Sequence, residues 1–350
     1  MARIPPERMP GMKSDPVEVL LELLATRSVA GNTDLAVDLV QKRMDGLGAM
    51  SEKTNKGSLV VTFPGGGGEA LVVAAHVDTL GAMVSSMGED GTLGFRMVGG
   101  YTMNSVEGEY CTVETFGGRL ITGTILFRDT SVHAWGREKA SAAREQSMML
   151  VRLDEDVSSR EGLRELGISV GNFVHFDPRP VSTPSGFVKS RHLDDKAGVA
   201  VLIGLAERLA ETPPPRKVYL HFTAHEEVGH GGAGLDAPDA SEMLVVDMGV
   251  AGPGRESSER KVTICAADNS GPYDYGMTKR LIALAEERSI PHAVDTHPFY
   301  TSDAAAALRA GMDVRHALVG PGVDASHAME RTHREGIEAT LELVAAYCFL

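Results

Sequence analysis

Cysteine is scarce in this chain, with only Cys111, Cys265 and Cys348 among 350 residues. They are odd in number, far apart and without paired metal-ligand spacing, which argues for a reducing compartment rather than a disulfide scaffold. Basic residues are also in deficit, 34 against 48 acidic, for a net charge of −14. Sequence-independent binding to nucleic acid needs a basic face, so that class is excluded. No run approaches the roughly 18 apolar residues of a membrane span. The stretch from Met1 to Pro16 carries prolines and charges but no apolar core of a signal peptide. The expectation is a cytoplasmic globular protein with neither a membrane nor a nucleic-acid partner. A hydrophobic content of 43% over this length can bury one large domain and a smaller one.

The order of periodicities says how the two are arranged. Asp15 and Pro16 open a helix through Leu24, and a second helix is expected from about Thr33 to Leu47. Ser58 to Phe63 and Ala70 to Ala75 read as strands, with Pro64 to Gly68 as a hairpin turn; the tetraglycine lacks the Gly-Lys-Ser/Thr ending of a phosphate loop. From Gly81 to about Ser185 short alternating runs and turns replace this pattern, as in a small β-barrel or sandwich. That region also holds a polar patch, Arg137 to Glu145, and a helix that Ser158 and Glu161 could cap. After Ser190 helices and strands alternate again, ending in a long helix near Ala346. The fold class expected is α/β: an α/β/α hydrolase-like catalytic domain with a mixed central sheet (residues 1–80 and 186–350), interrupted by an inserted β-barrel at 81–185.

The stretch Thr223-Ala224-His225-Glu226-Glu227-Val228-Gly229-His230-Gly231-Gly232 follows a strand-like run. Adjacent carboxylates raise each other's pKa, and burial adds to the effect. A cation that neutralises one leaves the other as a base near neutral pH; the alternative is a solvated pair, or a capping box between Thr223 and Glu226. Four other places put metal-type ligands at strand ends. In His76-Val77-Asp78 alternation sets both polar side chains on one face, so Asp78 can accept the imidazole N–H as a metal-bound histidine requires. Asp194 or Asp195 can cap the following helix or bridge two cations. Asp247 ends an apolar strand, as a turn residue or a ligand. His327 opens the expected final helix with Glu330 on its face, and His333 lies six residues on. Taken together, two histidines, a bridging acid, further carboxylates and a base form the inventory of a two-metal hydrolase. Nitrogen and oxygen ligands without thiolates suit two divalent ions per subunit, zinc by default, with cobalt or manganese also accommodated.

These strings, in this order, resemble the glutamyl and deblocking aminopeptidases, a family of dinuclear metallopeptidases that includes tetrahedral aminopeptidases and is related to the aspartyl aminopeptidases. The resemblance runs from the Asp15 helix to the final helix. It is carried by His76-Val77-Asp78, His192-Leu193-Asp194-Asp195-Lys196-Ala197-Gly198, Glu226-Glu227-Val228-Gly229 with Gly232-Ala233, Val246-Asp247 and Thr301-Ser302-Asp303-Ala304. It implies His76, Asp194 and Asp247 on one metal, and Asp194, Glu227 and His327 on the other. It further implies Glu226 as general base and Asp78 as the residue that orients His76. His327 rather than His333 is the implied last ligand, because the family's ligand precedes the closing helix. The inserted barrel would serve dimerisation, and the homo-oligomer would be a tetrahedral dodecamer admitting only short peptides. Two departures stand out: Lys196 where the family more often has Arg, and Ser-His-Ala-Met-Glu-Arg-Thr-His around His327 where His-Ser-Pro-Val-Glu is commoner. Asp303, His297 and Tyr300 are candidates to line the substrate pocket, Asp303 being equally a helix N-cap.

The implied function is metal-dependent removal of N-terminal residues from short peptides. The same site would also suit a dinuclear amidohydrolase or deacylase acting on small N-acyl or amide substrates. A third reading, a non-catalytic assembly protein on the same scaffold, would bind no metal.

Overall fold

The computed structural model describes residues 14–350; most of Met1 to Pro16, the stretch read for a signal peptide, lies outside them. The architecture is built on the strand Ala70–His76, whose seven residues are all buried. A strand covered on both faces reads as an unbroken apolar run, and its alternate side chains feed two cores. Leu71, Val73 and Ala75 face the helices Pro16–Leu24, Asp34–Gly46, Leu193–Glu211 and Arg334–Cys348. Val72 and Ala74 face the helix Asp303–Arg309. Each fully buried Val or Leu of these layers contributes about 1.5–3 kcal/mol relative to exposure.

The central sheet is mixed and 13-stranded, and its main path runs Met50–Lys53, Leu59–Phe63, Val218–Thr223, Ala70–His76, Ala240–Val246, Arg315–Asp324, Glu330–His333, Phe187–Ser190 and Val181–Ser182. Val218–Thr223 therefore lies between the two strands joined by the tetraglycine, antiparallel to the first and parallel to the second. The expected hairpin across Pro64–Gly68 is not formed. The glycines make a crossover, and a Cβ at Gly65 would sit 2.2 Å from the Arg216 carbonyl group.

Two further helix boundaries are set by side chains. Asp15 Oδ1 accepts from Val17 N–H at 2.9 Å, as an N-cap should. At the other end of that helix Lys196 is buried and donates to the carbonyls of Leu23 (2.8 Å) and Thr26 (2.5 Å). A lysine thus serves this chain where the resemblance favours arginine, by placing its ammonium on the helix's unsatisfied carbonyls.

The strands Gly81–Met87, Leu93–Val98, Met149–Leu153, Leu120–Phe127, Tyr110–Glu114 and Phe173–Phe176 close in that order into a barrel. It has its own core, which includes Val84, Phe95, Val113, Ile125, Val151 and Phe176. Met149–Leu153 was not apparent in the sequence because its apolar residues do not alternate (MLVRL). The short helix Arg160–Glu165 is capped by Ser159, whose oxygen accepts from Gly162 N–H at 3.1 Å, and not by Ser158. The larger correction concerns the C-terminal segment. Residues 325–329 form a turn, Glu330–His333 is a strand, and the final helix starts only at Arg334. His327 sits in that turn at φ 65°, and His333 is the helix N-cap.

Candidate metal centre

Three strands that run parallel, Val218–Thr223, Ala70–His76 and Ala240–Val246, end at the same edge of the sheet. Open α/β sheets bind ligands at the carboxyl ends of their strands. His76 is the last residue of its strand, Asp247 follows the next, and Glu226 and Glu227 lie just beyond the third. Asp194 is supplied by the start of the long buried helix, and His327 by the turn after Arg315–Asp324.

Asp194 lies between the two histidines. Its Oδ1 is 3.2 Å from His76 Nε2, and its Oδ2 is 3.4 Å from His327 Nε2. Both imidazoles are oriented from behind by backbone carbonyls. His76 Nδ1 meets the Asp78 carbonyl at 2.9 Å, and His327 Nδ1 donates to the Gly100 carbonyl. A carbonyl can only accept, so each ring carries its outer proton on Nδ1 and turns Nε2 toward the carboxylates. Metal-bound histidines require this arrangement. Gly100 belongs to the inserted segment, so the barrel domain completes the site.

The Asp78 carboxylate has a different task from the one expected. Its oxygens accept from the backbone N–H groups of Glu226 and Glu227, both at 3.1 Å, and stand 3.6 Å from His76 Nδ1. Asp78 therefore holds the Glu-Glu turn directly, while its main chain orients His76. Thr223 is not part of a capping box; its hydroxyl donates to Asp303. The other Asp303 oxygen accepts from Gly232 N–H at 2.6 Å. Asp303 is the first residue of its helix, Ser302 being the cap, and it anchors the glycine loop. Lys56 reaches the same loop and donates to the carbonyls of His230 and Ala233. Glycine is required where the loop passes Asp303, since a Cβ at Gly232 would lie 2.1 Å from the Asp303 carbonyl oxygen.

Glu226 and Glu227 diverge. The Glu227 side chain is 4% exposed and its Oε2 is 3.7 Å from His327 Nε2. The Glu226 side chain keeps 14% exposure, with its Oε2 3.9 Å from His76 Nε2. Burial first, and neighbouring carboxylates next, push both carboxyls well above their usual range. Burial and Asp194 raise Asp247 to about 7. Burial opposes charge on His76 and His327 as well, yet the surrounding carboxylates outweigh it, raising His76 strongly and His327 to about 10. The same histidines hold Asp194 far below its usual value despite burial.

The residues fit divalent cations. Carboxylates buried together are costly unless positive charge is added, and a bound cation reverses these shifts. His76, Asp194 and Glu227 present ligand atoms within 4.8 Å of one another, as do His76, Asp195 and Asp247. Glu227 Oε1 is buried and accepts no hydrogen bond among the described residues, as an oxygen kept for a cation would be.

Two further buried acids brace the site: Asp195, which the sequence offers as the alternative to Asp194 for capping or bridging, and Glu330, which it offers only as a helical neighbour of His327. Asp195 accepts from His76 N–H at 3.3 Å and Gly198 N–H at 3.1 Å, so it braces the histidine's backbone and the helix start. Glu330 accepts from Asp194 N–H at 3.2 Å and His327 N–H at 2.9 Å, which ties those two backbones together. Burial and the Asp194 charge raise its carboxyl to about 8. Its place three residues after His327 was the available signal, read as a helical pairing. His333 lies elsewhere, with Nε2 2.8 Å from the Ser185 carbonyl.

The layered sheet, the inserted barrel and the carboxylate-histidine edge define a candidate metal-hydrolase site, and comparison with known proteins gives the family. The profile of the M42 glutamyl aminopeptidases matches residues 57–343. The chain belongs to this family. YhfE of Bacillus subtilis (strain 168), a protein with an aminopeptidase name, is 43% identical over 334 residues, 95% of this chain and 96% of that one. The glutamyl aminopeptidase of Lactococcus lactis subsp. cremoris (strain MG1363) is 28% identical, with 63% of this chain and 61% of its own covered. In fold, the chain is similar to the TET aminopeptidase of a marine sediment Thaumarchaeota archaeon (TM-score 0.88, 19% identity, 96% of this chain and 97% of that one). It is also similar to the Pyrococcus horikoshii TET1 peptidase, which can assemble into a tetrahedron or a large octahedral shell (TM-score 0.85, 22% identity, 95% and 99% covered). Among the described residues no helix is long and apolar enough to cross a membrane.

Asp78 gives a direct check on the loop's support. Asp78→Asn keeps one acceptor but turns an N–H₂ toward the other backbone N–H. Metal affinity should fall by about 10–100-fold, with a parallel loss in kcat and a folded protein by circular dichroism. Unchanged metal affinity and kcat would contradict this role.

Proposed function

We propose that the chain is a two-metal aminopeptidase removing N-terminal residues from short peptides, with His76, Asp194 and Asp247 holding one ion and Asp194, Glu227 and His327 the other. The observation that carries this reading is the position of Asp194, with one oxygen toward each histidine. When bound, the ions supply an activated water and polarise the scissile carbonyl. The donors are nitrogen and oxygen only, and the three cysteines are buried and free, which supports zinc first, cobalt or manganese next, and a cytoplasmic setting.

Glu226 is the base. Its greater exposure leaves its carboxylate open to the substrate side, while Glu227 stays turned to His327. Glu226 takes a proton from the attacking water and delivers it to the leaving amine as the C–N bond breaks. It holds that proton between the two transfers. Asp78 keeps the Glu226 backbone in place, and Gly231 and Gly232 let the loop lie against Asp303 and Glu226. The barrel is the assembly domain in this reading. Tyr110, Phe116, Leu120 and Val170 are exposed on it and supply apolar side chains for contacts between copies. Sedimentation of a Phe116→Asp variant as the wild-type oligomer would contradict that role.

Glu226→Gln tests the catalytic assignment. Turnover of aminoacyl-nitroanilides should fall by at least about 100-fold, while bound metal, measured on the same preparation, stays at the wild-type level. Full activity in the variant would refute the assignment. Including N-acyl amino acids and blocked peptides in the wild-type panel separates aminopeptidase from deacylase chemistry.

A further inference from the structure

The turn that carries His327 departs from the commoner string of its relatives in where its hydroxyl stands. Serine follows the histidine in His-Ser-Pro-Val-Glu, whereas Ser326 precedes His327 here. That order has a structural counterpart. The Ser326 hydroxyl donates to Asp194 Oδ2 at 3.0 Å, across 132 residues of chain. The same oxygen stands 3.4 Å from His327 Nε2.

Ser326 is held in place by its neighbours. Ala325 and His327, on either side of it, adopt φ values of 57° and 65°. Such conformations persist in residues other than glycine only where the surroundings impose them. Ala328 N–H donates to the Ala325 carbonyl at 3.0 Å and closes the turn. Glu330 accepts the His327 N–H at 2.9 Å, and the buried guanidinium of Arg191 donates to the His327 carbonyl at 3.5 Å. Another Arg191 nitrogen donates to the Ser105 carbonyl of the inserted segment at 2.8 Å. The turn is therefore fixed from both domains.

The partners of the Asp194 carboxylate differ in kind. Among the described residues they are His76, His327 and Ser326. The two imidazoles approach through Nε2, the nitrogen each would give to a cation. The hydroxyl is the one partner that a cation leaves in place. A carboxylate oxygen has lone pairs for both an ion and a hydrogen bond, and carboxylates that ligate metals are themselves hydrogen-bonded.

We infer that Ser326 is a positioning residue, whose hydroxyl holds Asp194 Oδ2 and so sets how the carboxylate faces the cation shared with Glu227 and His327. This rests on the reading of Asp194 and His327 as metal ligands. The competing role, a cap on its own turn, requires the hydroxyl on a neighbouring backbone group, and it is on a side chain distant in sequence.

The test compares metal-stripped wild type, Ser326→Ala and Ser326→Thr in three measurements. These are the zinc affinity of each site by competition with a chromophoric chelator, the unfolding midpoint without metal, and kcat at saturating zinc. In Ser326→Ala one zinc should bind about 10–100-fold more weakly, the other being affected less. The metal-free midpoint should stay at the wild-type level, because the turn keeps its other bonds. Ser326→Thr retains the hydroxyl and should bind zinc as the wild type does. Equal loss in both variants would overturn the inference. So would unchanged zinc affinity in Ser326→Ala, which with a lower metal-free midpoint would make the residue merely structural. A fall in kcat with both affinities intact would also overturn it, by putting the hydroxyl on the substrate. His327→Ala checks the underlying reading separately. Weakening of the same single ion supports it, whereas two ions bound at wild-type affinity would defeat the ligand reading and this inference with it.

Discussion

Everything at this site depends on a charge imbalance buried at the edge of the sheet. Asp194, Asp195, Glu226, Glu227 and Asp247 share a small volume with two imidazoles. Carboxylates desolvated so close together would take up protons and lose their chemistry. In the proposed two-metal site, divalent cations stabilise their ionised forms, and Asp194 is the shared ligand because its two oxygens point toward different histidines. The burial that makes the cluster costly is thus a cost that added positive charge would offset.

The fold meets this requirement with rigid parts. Three parallel strands fix His76, Asp247 and the Glu-Glu turn at one edge. Hydrogen bonds between elements distant in sequence do the rest: Asp78 to Glu226 and Glu227, Asp303 to Gly232, and Glu330 to both Asp194 and His327. The barrel contributes the Gly100 carbonyl behind His327. Pre-set ligands lose little freedom on binding and keep their geometry when substrate arrives.

Much of this was legible in the sequence. The order His-x-Asp, Asp-Asp-Lys, Glu-Glu, Asp, His placed the candidate ligands, and the change from mixed to alternating periodicity at Gly81 marked the barrel. What was not legible depended on long-range partners. The tetraglycine looks like a hairpin turn locally, yet Val218–Thr223 enters between the strands it joins. The run after Ala325 looks like a helix start, yet Ala325 and His327 both adopt positive φ and the chain turns instead. The tasks of Asp78 and Glu330 are to hold backbone groups far away in sequence, and spacing along the chain carries no trace of that. Gly100 acts through a carbonyl, which every residue possesses.

The central claim is that Asp194 serves two cations at once. The most direct measurement is a zinc titration of metal-stripped wild type and Asp194→Asn, with both affinities resolved. The account predicts two ions per chain in the wild type and a weakening of both together in the variant. Loss of one ion with the other bound at its wild-type affinity would contradict it.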